Sequence, residues 1–266
     1  MNANHHTHTY RCKHATGDVD DYCRAARRAG LTVLGFSDHA ALPDNRWLSV
    51  RMAYSERDAY CADLERARET FPGLTLLKGM ECEYAPAYRA YFEDELLGRL
   101  ELDYLVGAAH FIPHDGDWLG VYRGITDAAT LRAYAAAYVA LIEWKLFAFI
   151  AHPDLFANSY LAWDRHAEAC SREILRAAEA YGVPLEINGY GFRKPRVDTP
   201  EGRRPMYPWI RFWELAAEYD IEVVLNSDAH RPEDVAANLD DAAAIAARFG
   251  LRIADLSCLE PERQQR

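Results

Sequence analysis

The stretch Leu31-Thr32-Val33-Leu34-Gly35-Phe36-Ser37-Asp38-His39 runs from a short apolar segment straight into a histidine. Its apolar part is strand-sized. It follows a segment, 18–29, with apolar positions at helical spacing and a stop at Gly30. The unit recurs. Apolar runs at 74–77, 104–109, 147–151, 184–187 and 221–225 are each bounded by Gly, Pro or charge, and 2–6 reads as a first strand. Helix-like stretches at 55–71, 126–144, 165–181, 208–219 and 232–249 lie between or after them. Strands alternating with helices predict parallel βαβ units, and seven or eight over this length predict a closed or nearly closed α/β barrel. A doubly wound open sheet is the alternative. No GxGxxG follows the first strand and no Walker A motif occurs, so a nucleotide-binding version of either has no support.

Composition agrees with a soluble globular chain: 266 residues, half of them apolar, 27% charged, and a formal net charge of −11 from 41 acidic against 30 basic residues. With no linker or repeat, residues 1–266 are expected to form a single domain. The acidic balance argues against coating nucleic acid, which needs Lys and Arg to neutralise phosphates. No apolar run approaches the roughly 20 residues that cross a bilayer, and the first ten residues lack the pattern of a signal peptide. A cytoplasmic protein with no membrane partner is the expectation. The six cysteines are scattered without a CxxC pair and read as reduced, packed side chains.

The ten histidines are not scattered. His6 and His8 end the first strand and His14 follows in its loop. His39, His110 and His152 end later strands, as does Glu81 in Gly79-Met80-Glu81-Cys82-Glu83. Asp228 and His230 end the last. In a parallel barrel all these ends share the C-terminal rim, where active sites lie. Alternation along a strand turns His6 and His8 to one side, and likewise Asp228 and His230. So many imidazoles and carboxylates on one rim would repel and desolvate one another unless divalent metals offset the cost, and this donor set suits zinc, iron, manganese or nickel. His5 and His166 are expected to be structural. His114, in the His114-Asp115-Gly116-Asp117 turn, is a candidate to reach substrate.

Taken together, His6-Thr7-His8, Phe36-Ser37-Asp38-His39, Gly79-Met80-Glu81, Gly107-Ala108-Ala109-His110, Ala151-His152-Pro153 and Ser227-Asp228-Ala229-His230 resemble the polymerase-and-histidinol-phosphatase (PHP) superfamily, with the histidinol-phosphate phosphatases the nearest branch. Cys12 to Gly17 and Glu186-Ile187-Asn188 with Arg193-Lys194 fit that branch. The resemblance implies a distorted (βα)7 TIM-like barrel and three divalent ions, zinc, iron or manganese. His6, His8, Glu81 and Asp228 would hold the first. Glu81 would bridge to a second held by His110 and His152. His14, His39 and His230 would hold the third. Glu83 competes with Glu81 as the bridge. The implied reaction is hydrolysis of L-histidinol phosphate to histidinol and phosphate, in histidine biosynthesis, by a hydroxide shared between metals. A different small phosphate ester, a nucleotide or a cyclic phosphodiester is the alternative substrate.

Phosphate calls for further positive charge. Arg193 and Lys194 after the sixth strand and Arg123 after the fourth are the expected substrate-binding residues, guanidinium being suited to bidentate phosphate contact. Glu81, Asp228, His230 and Arg193 are the expected catalytic set. Asp38, Asn226 and Ser227 are expected to orient imidazoles. Trp47, Tyr84, Phe111, Trp118, Tyr122, Tyr190 and Phe192 could wall a pocket for a small ring, and Glu83 or Asp117 could meet a substrate amine.

Overall fold

The computed structural model describes residues 2–260. Eight parallel strands, β1 (Ala3–Asn4), β2 (Val33–Phe36), β3 (Thr75–Glu83), β4 (Tyr104–Ala108), β5 (Phe149–Ile150), β6 (Leu185–Asn188), β7 (Glu222–Asn226) and β8 (Arg252–Ile253), pair in chain order. The sheet curls until its first strand meets its seventh. A parallel bridge joins Thr7 to Ala229, with His8 N donating to Ala229 O at 2.9 Å and Ala229 N to His6 O at 3.2 Å. Seven strands therefore form the distorted barrel, closed at its C-terminal rim. β8, too short to stand out in the sequence, pairs with the lower part of β7 through Glu222 and Val223.

Alternation sets what faces inward. Val33, Leu77, Val106, Phe149 and Val224 form one buried apolar cluster, while Leu34, Met80, Leu105, Ile150 and Leu225 belong to the core beneath the helices. Tyr104 needs room inside the barrel and takes it at two glycines. A Cβ on Gly35 would lie 2.3 Å from its hydroxyl, and one on Gly79 would lie 2.5 Å from its ring. Moving up β3 at two-residue steps, the inward positions change from Leu77 through Gly79 to Glu81 and Glu83, so the barrel is apolar at its base and ionisable at its rim.

The helices wrap this barrel. α1 (Val19–Arg28) is capped by Asp18, which exchanges bonds with Asp21 in a capping box. α2 (Arg57–Thr70) follows β2. A π-helical stretch, Phe92–Arg99, stands between β3 and β4, where the sequence pattern predicts no helix. α3 (Ala128–Glu143) is capped by Asp127 and α4 (Arg165–Tyr181) by Asp164. α5 (Ile210–Ala216) and α6 (Leu239–Phe249) are shorter than the 208–219 and 232–249 expected. α6 starts late because Asn238 adopts a left-handed conformation, φ 61°, leaving Pro232–Asp234 as a separate turn. The hairpin Phe111–His114 with Asp117–Gly120 stands above the rim after β4. Among the described residues no helix is long and apolar enough to cross a membrane.

Candidate active site

The rim brings the nine histidines and carboxylates singled out in the sequence into one cluster. Glu81 is its centre. Its Oε1 lies 3.0 Å from His152 Nε2, 3.6 Å from His6 Nε2 and 3.7 Å from His110 Nε2. Its Oε2 lies 2.9 Å from His39 Nδ1 and 3.6 Å from His8 Nε2. Asp228 Oδ1 lies 3.2 Å from His8 Nε2, 3.7 Å from His6 Nε2 and 3.3 Å from His230 Nδ1. His14 is exposed at the edge, its ring 4.8 Å from that of His230 and 5.3 Å from that of His39. Two members are held in left-handed backbone, His152 at φ 30° and Asp228 at φ 49°. Such residues persist only where surrounding structure fixes them.

Burial alone would push the Glu81 carboxyl up, but His110, His39 and His6 outweigh it and hold it well below the usual range. Asp228 is likewise held down, against burial, by His6, His230 and His8. Burial pushes His39 and His230 well below the ordinary imidazole value, whereas for His6 burial is outweighed by Glu186, Asp228 and Glu81, which raise it.

A second tier of carboxylates aims these rings. Glu83 does not sit between the imidazoles as Glu81 does. It accepts from His110 Nδ1 at 2.7 Å and His110 N at 2.9 Å, and from Arg51 Nη2 at 3.0 Å. This leaves His110 Nε2 facing Glu81, while Glu83 still borders the cavity. Glu186, fully buried, accepts from His6 Nδ1 at 2.7 Å, His152 N at 3.1 Å, Asn188 Nδ2 at 2.7 Å and Asn226 Nδ2 at 3.0 Å. Asn188 also donates to Asp228 Oδ2 at 3.0 Å. Asn226 thus acts through Glu186, and Ser227 bonds Asn4 rather than an imidazole. Asp38 binds Thr9, through its amide at 3.0 Å and its hydroxyl at 2.6 Å, and lies 4.0 Å from His8 Nδ1. It anchors the β1 extension instead of orienting a ring directly.

The cluster floors a cavity of about 420 Å³ whose remaining wall includes Val50, Arg51, Phe111, Tyr122, Arg123, Tyr190 and Lys194. Lys194 Nζ rests 4.0 Å from the Tyr190 ring centre and 5.1 Å from that of Tyr122, and burial lowers its pKa. Neither Lys194 nor Arg123 has a carboxylate partner among the described residues. Arg193 is different. It turns away from the cavity and donates to Ser227 O at 2.6 Å, Asn238 Oδ1 at 3.0 Å, Gly189 O and Asp228 O at 3.2 Å each. Its Nη donors are engaged beneath Asp228 and its Nε lies 3.5 Å from Asp234 Oδ2, so this arrangement does not present it to the cavity as the phosphate-binding and catalytic expectation requires. Behind the wall Trp47 stacks on Phe111 at 4.3 Å and meets Trp118 edge to face. Tyr84 pairs with Trp144, Phe192 packs on the core, and His114 and Asp117 stay out of the cavity lining.

Buried polar atoms ordinarily find a partner. Here His6 Nε2, both ring nitrogens of His8, Asp228 Oδ1 and His230 Nε2 have no hydrogen-bond partner among the described residues, and His39 Nδ1 and Glu81 Oε2 meet only each other, at 2.9 Å. All but His8 Nδ1, which faces Asp38, gather around Glu81 and Asp228. Several triads of donor atoms fall within 4.8 Å of one another, including His6, His8 and Glu81, and His8, His39 and His230. Imidazole nitrogens and carboxylate oxygens gathered this closely fit divalent cations. The sequence signal for Glu186 was present as a charged residue inside an apolar strand. Arg51 had none, since it stands in a loop eleven residues beyond Ala40, whose carbonyl it meets.

Comparison with known proteins places this architecture. Residues 4–189 match the PHP domain model. A "Probable histidinol-phosphatase" of Deinococcus radiodurans is 31% identical over 245 residues, covering 89% of each chain. One from Schizosaccharomyces pombe is 26% identical over 262 residues, covering 88% of this chain and 82% of that one. The crystal structure of histidinol phosphate phosphatase from Lactococcus lactis, complexed with zinc, L-histidinol and phosphate, superposes with a TM-score of 0.72 at 15% identity, over 97% of this chain and 98% of that one. By sequence the chain therefore belongs to the PHP domain family.

Proposed function

We propose that this metal-dependent phosphatase hydrolyses L-histidinol phosphate to histidinol and phosphate, using three divalent ions of zinc, iron or manganese. The observation that carries the reading is the set of mostly unpaired buried donor atoms gathered around Glu81 and Asp228 beneath a cavity with free cationic side chains. The names of the relatives support the substrate, and the bound zinc of the Lactococcus structure supports the metal. His6, His8, Glu81 and Asp228 would hold one ion, Glu81 with His110 and His152 a second, and His14, His39 and His230 a third. Ions held there supply Lewis acidity toward phosphoryl oxygens and bring the pKa of water to about 7 in favourable cases.

The chain's own residues do the rest. Lys194 and Arg123 stand at the cavity wall, where they oppose the charge that builds on phosphoryl oxygens during displacement. Burial of Lys194 between two rings strengthens that attraction by removing competing water. Phe111, Tyr122 and Tyr190 offer flat apolar faces to a small ring in the leaving group. Glu186 and Glu83 fix ring orientation, and Arg193 holds the backbone that carries Asp228.

The test is phosphate release from a panel of small phosphate esters that includes histidinol phosphate, with bound metal measured on the same protein. Preference for histidinol phosphate, lost on chelation and restored by added metal, is expected. Turnover of histidinol phosphate no faster than of the other esters would overturn the substrate.

A further inference from the structure

Arg51 is a cation buried to 99% at the cavity wall, without a place in the reading above. Its guanidinium reaches two segments of the rim. Nη1 donates to Ala40 O at 3.2 Å, one residue beyond His39. Nη2 donates to Glu83 Oε1 at 3.0 Å, the same oxygen that accepts from His110 Nδ1 at 2.7 Å. The ring of Trp47 covers it, 5.2 Å from centre to guanidinium carbon. Ala40 is itself pinned by its amide, which donates to Glu81 O at 2.8 Å. The rings of His39 and His110 lie 5.0 Å apart, edge to face, on either side of Glu81.

We propose that Arg51 is a positioning residue that fixes His39 and His110 against each other for metal binding, His39 through the Ala40 carbonyl and His110 through Glu83; the inference rests on the metal site proposed above. The planar fork is what the task requires. It reaches a carbonyl and a carboxylate at once, which a lysine ammonium can match in charge but not in geometry. Its charge also offsets that of Glu83, which would otherwise stand in the barrel wall as a buried carboxylate balanced by an imidazole alone. Groups that orient metal-binding histidines typically control affinity by about 10- to 100-fold.

The alternative role for a cavity-lining arginine is direct contact with the phosphate, and the experiment separates the two. Wild type, Arg51→Lys and Arg51→Met are equilibrated with buffered zinc alone, and zinc bound per chain is measured against free zinc. kcat and KM for a phosphate ester are measured alongside, and circular dichroism checks the fold. The expected result for Arg51→Met is zinc binding weakened at least 10-fold for one ion, with kcat reduced and KM for the ester within about twofold at saturating zinc. Arg51→Lys is expected to fall between it and wild type. Should Arg51→Met fail to fold, Arg51→Lys decides alone by the same two measurements. Unchanged zinc affinity in a folded variant overturns the inference. So does a large rise in KM at full zinc occupancy, which would make Arg51 a substrate contact. Wild-type protein that binds no zinc, iron or manganese would overturn the metal site itself, and is seen before any variant is read.

Discussion

Replacing Arg193 by alanine separates a phosphate ligand from a buttress. The side chain is 16% exposed and donates to Ser227 O, Asn238 Oδ1 and Gly189 O at 2.6, 3.0 and 3.2 Å. At about 1 kcal/mol net for each of the three, the loss is about 3 kcal/mol. For a chain of this size that corresponds to a fall in Tm of about 6–12 °C. The Ser227 carbonyl left behind lies in the turn that holds Asp228 at φ 49°, so the variant should also let Asp228 drift. Calorimetry reads the first effect and steady-state kinetics the second. The expected pattern is a clearly lower Tm, a lower kcat, and KM for the phosphate ester within about twofold. A Tm within 2 °C of wild type together with a large rise in KM would refute the reasoning and return Arg193 to the phosphate. The two-degree margin sits well below the shift worked from about 3 kcal/mol.

Three further outcomes follow from the same geometry. Glu186→Gln keeps the shape but must place an amide against donors that now face a carboxylate, so bound metal should weaken by about 10- to 100-fold in metal titration. His110→Ala and Asp228→Ala should each abolish phosphatase turnover and reduce metal bound per chain; wild-type-like activity in both would remove the site assignment. Gly79→Ala puts a methyl 2.5 Å from the Tyr104 ring in the barrel interior, and should cost about 1–3 kcal/mol in denaturant unfolding.

Much of this molecule is legible in its sequence because one rule is repeated: an apolar run, then a metal-type side chain. That rule locates β2, β3, β4, β5 and β7, while β1 has no apolar run and β6 no metal-type side chain at its end; with the His-Thr-His of the first strand it brings together His6, His8, His39, Glu81, His110, His152, Asp228 and His230. It works because parallel strands bring all their C-terminal ends to one rim. It does not say where a long side chain turns. Arg193 sits at the right height for phosphate, yet nearby carbonyls compete for its donors, and only the folded backbone reveals them. Glu81 and Glu83 share a face and a strand, so alternation cannot separate them; Arg51, arriving from a distant loop, does. Asn238 interrupts a helix whose apolar spacing continues across it. β8, with two exposed residues, carries no periodicity at all.

The barrel is fastened at the rim where its first and seventh strands meet, by the pair of amide bonds at the Thr7–Ala229 bridge. His6 and His8 lie on one side of that fastening, Asp228 and His230 on the other. Any ion shared across it would act as a cross-link between the two ends of the fold, restricting the open ensemble as a long-range staple does. Catalytic competence and circular closure of the sheet would then be a single equilibrium. Amide exchange at His8 and Ala229 should slow when metal is added, ahead of exchange in the helices, and an exchange rate indifferent to metal would show the seam to be held by the protein alone.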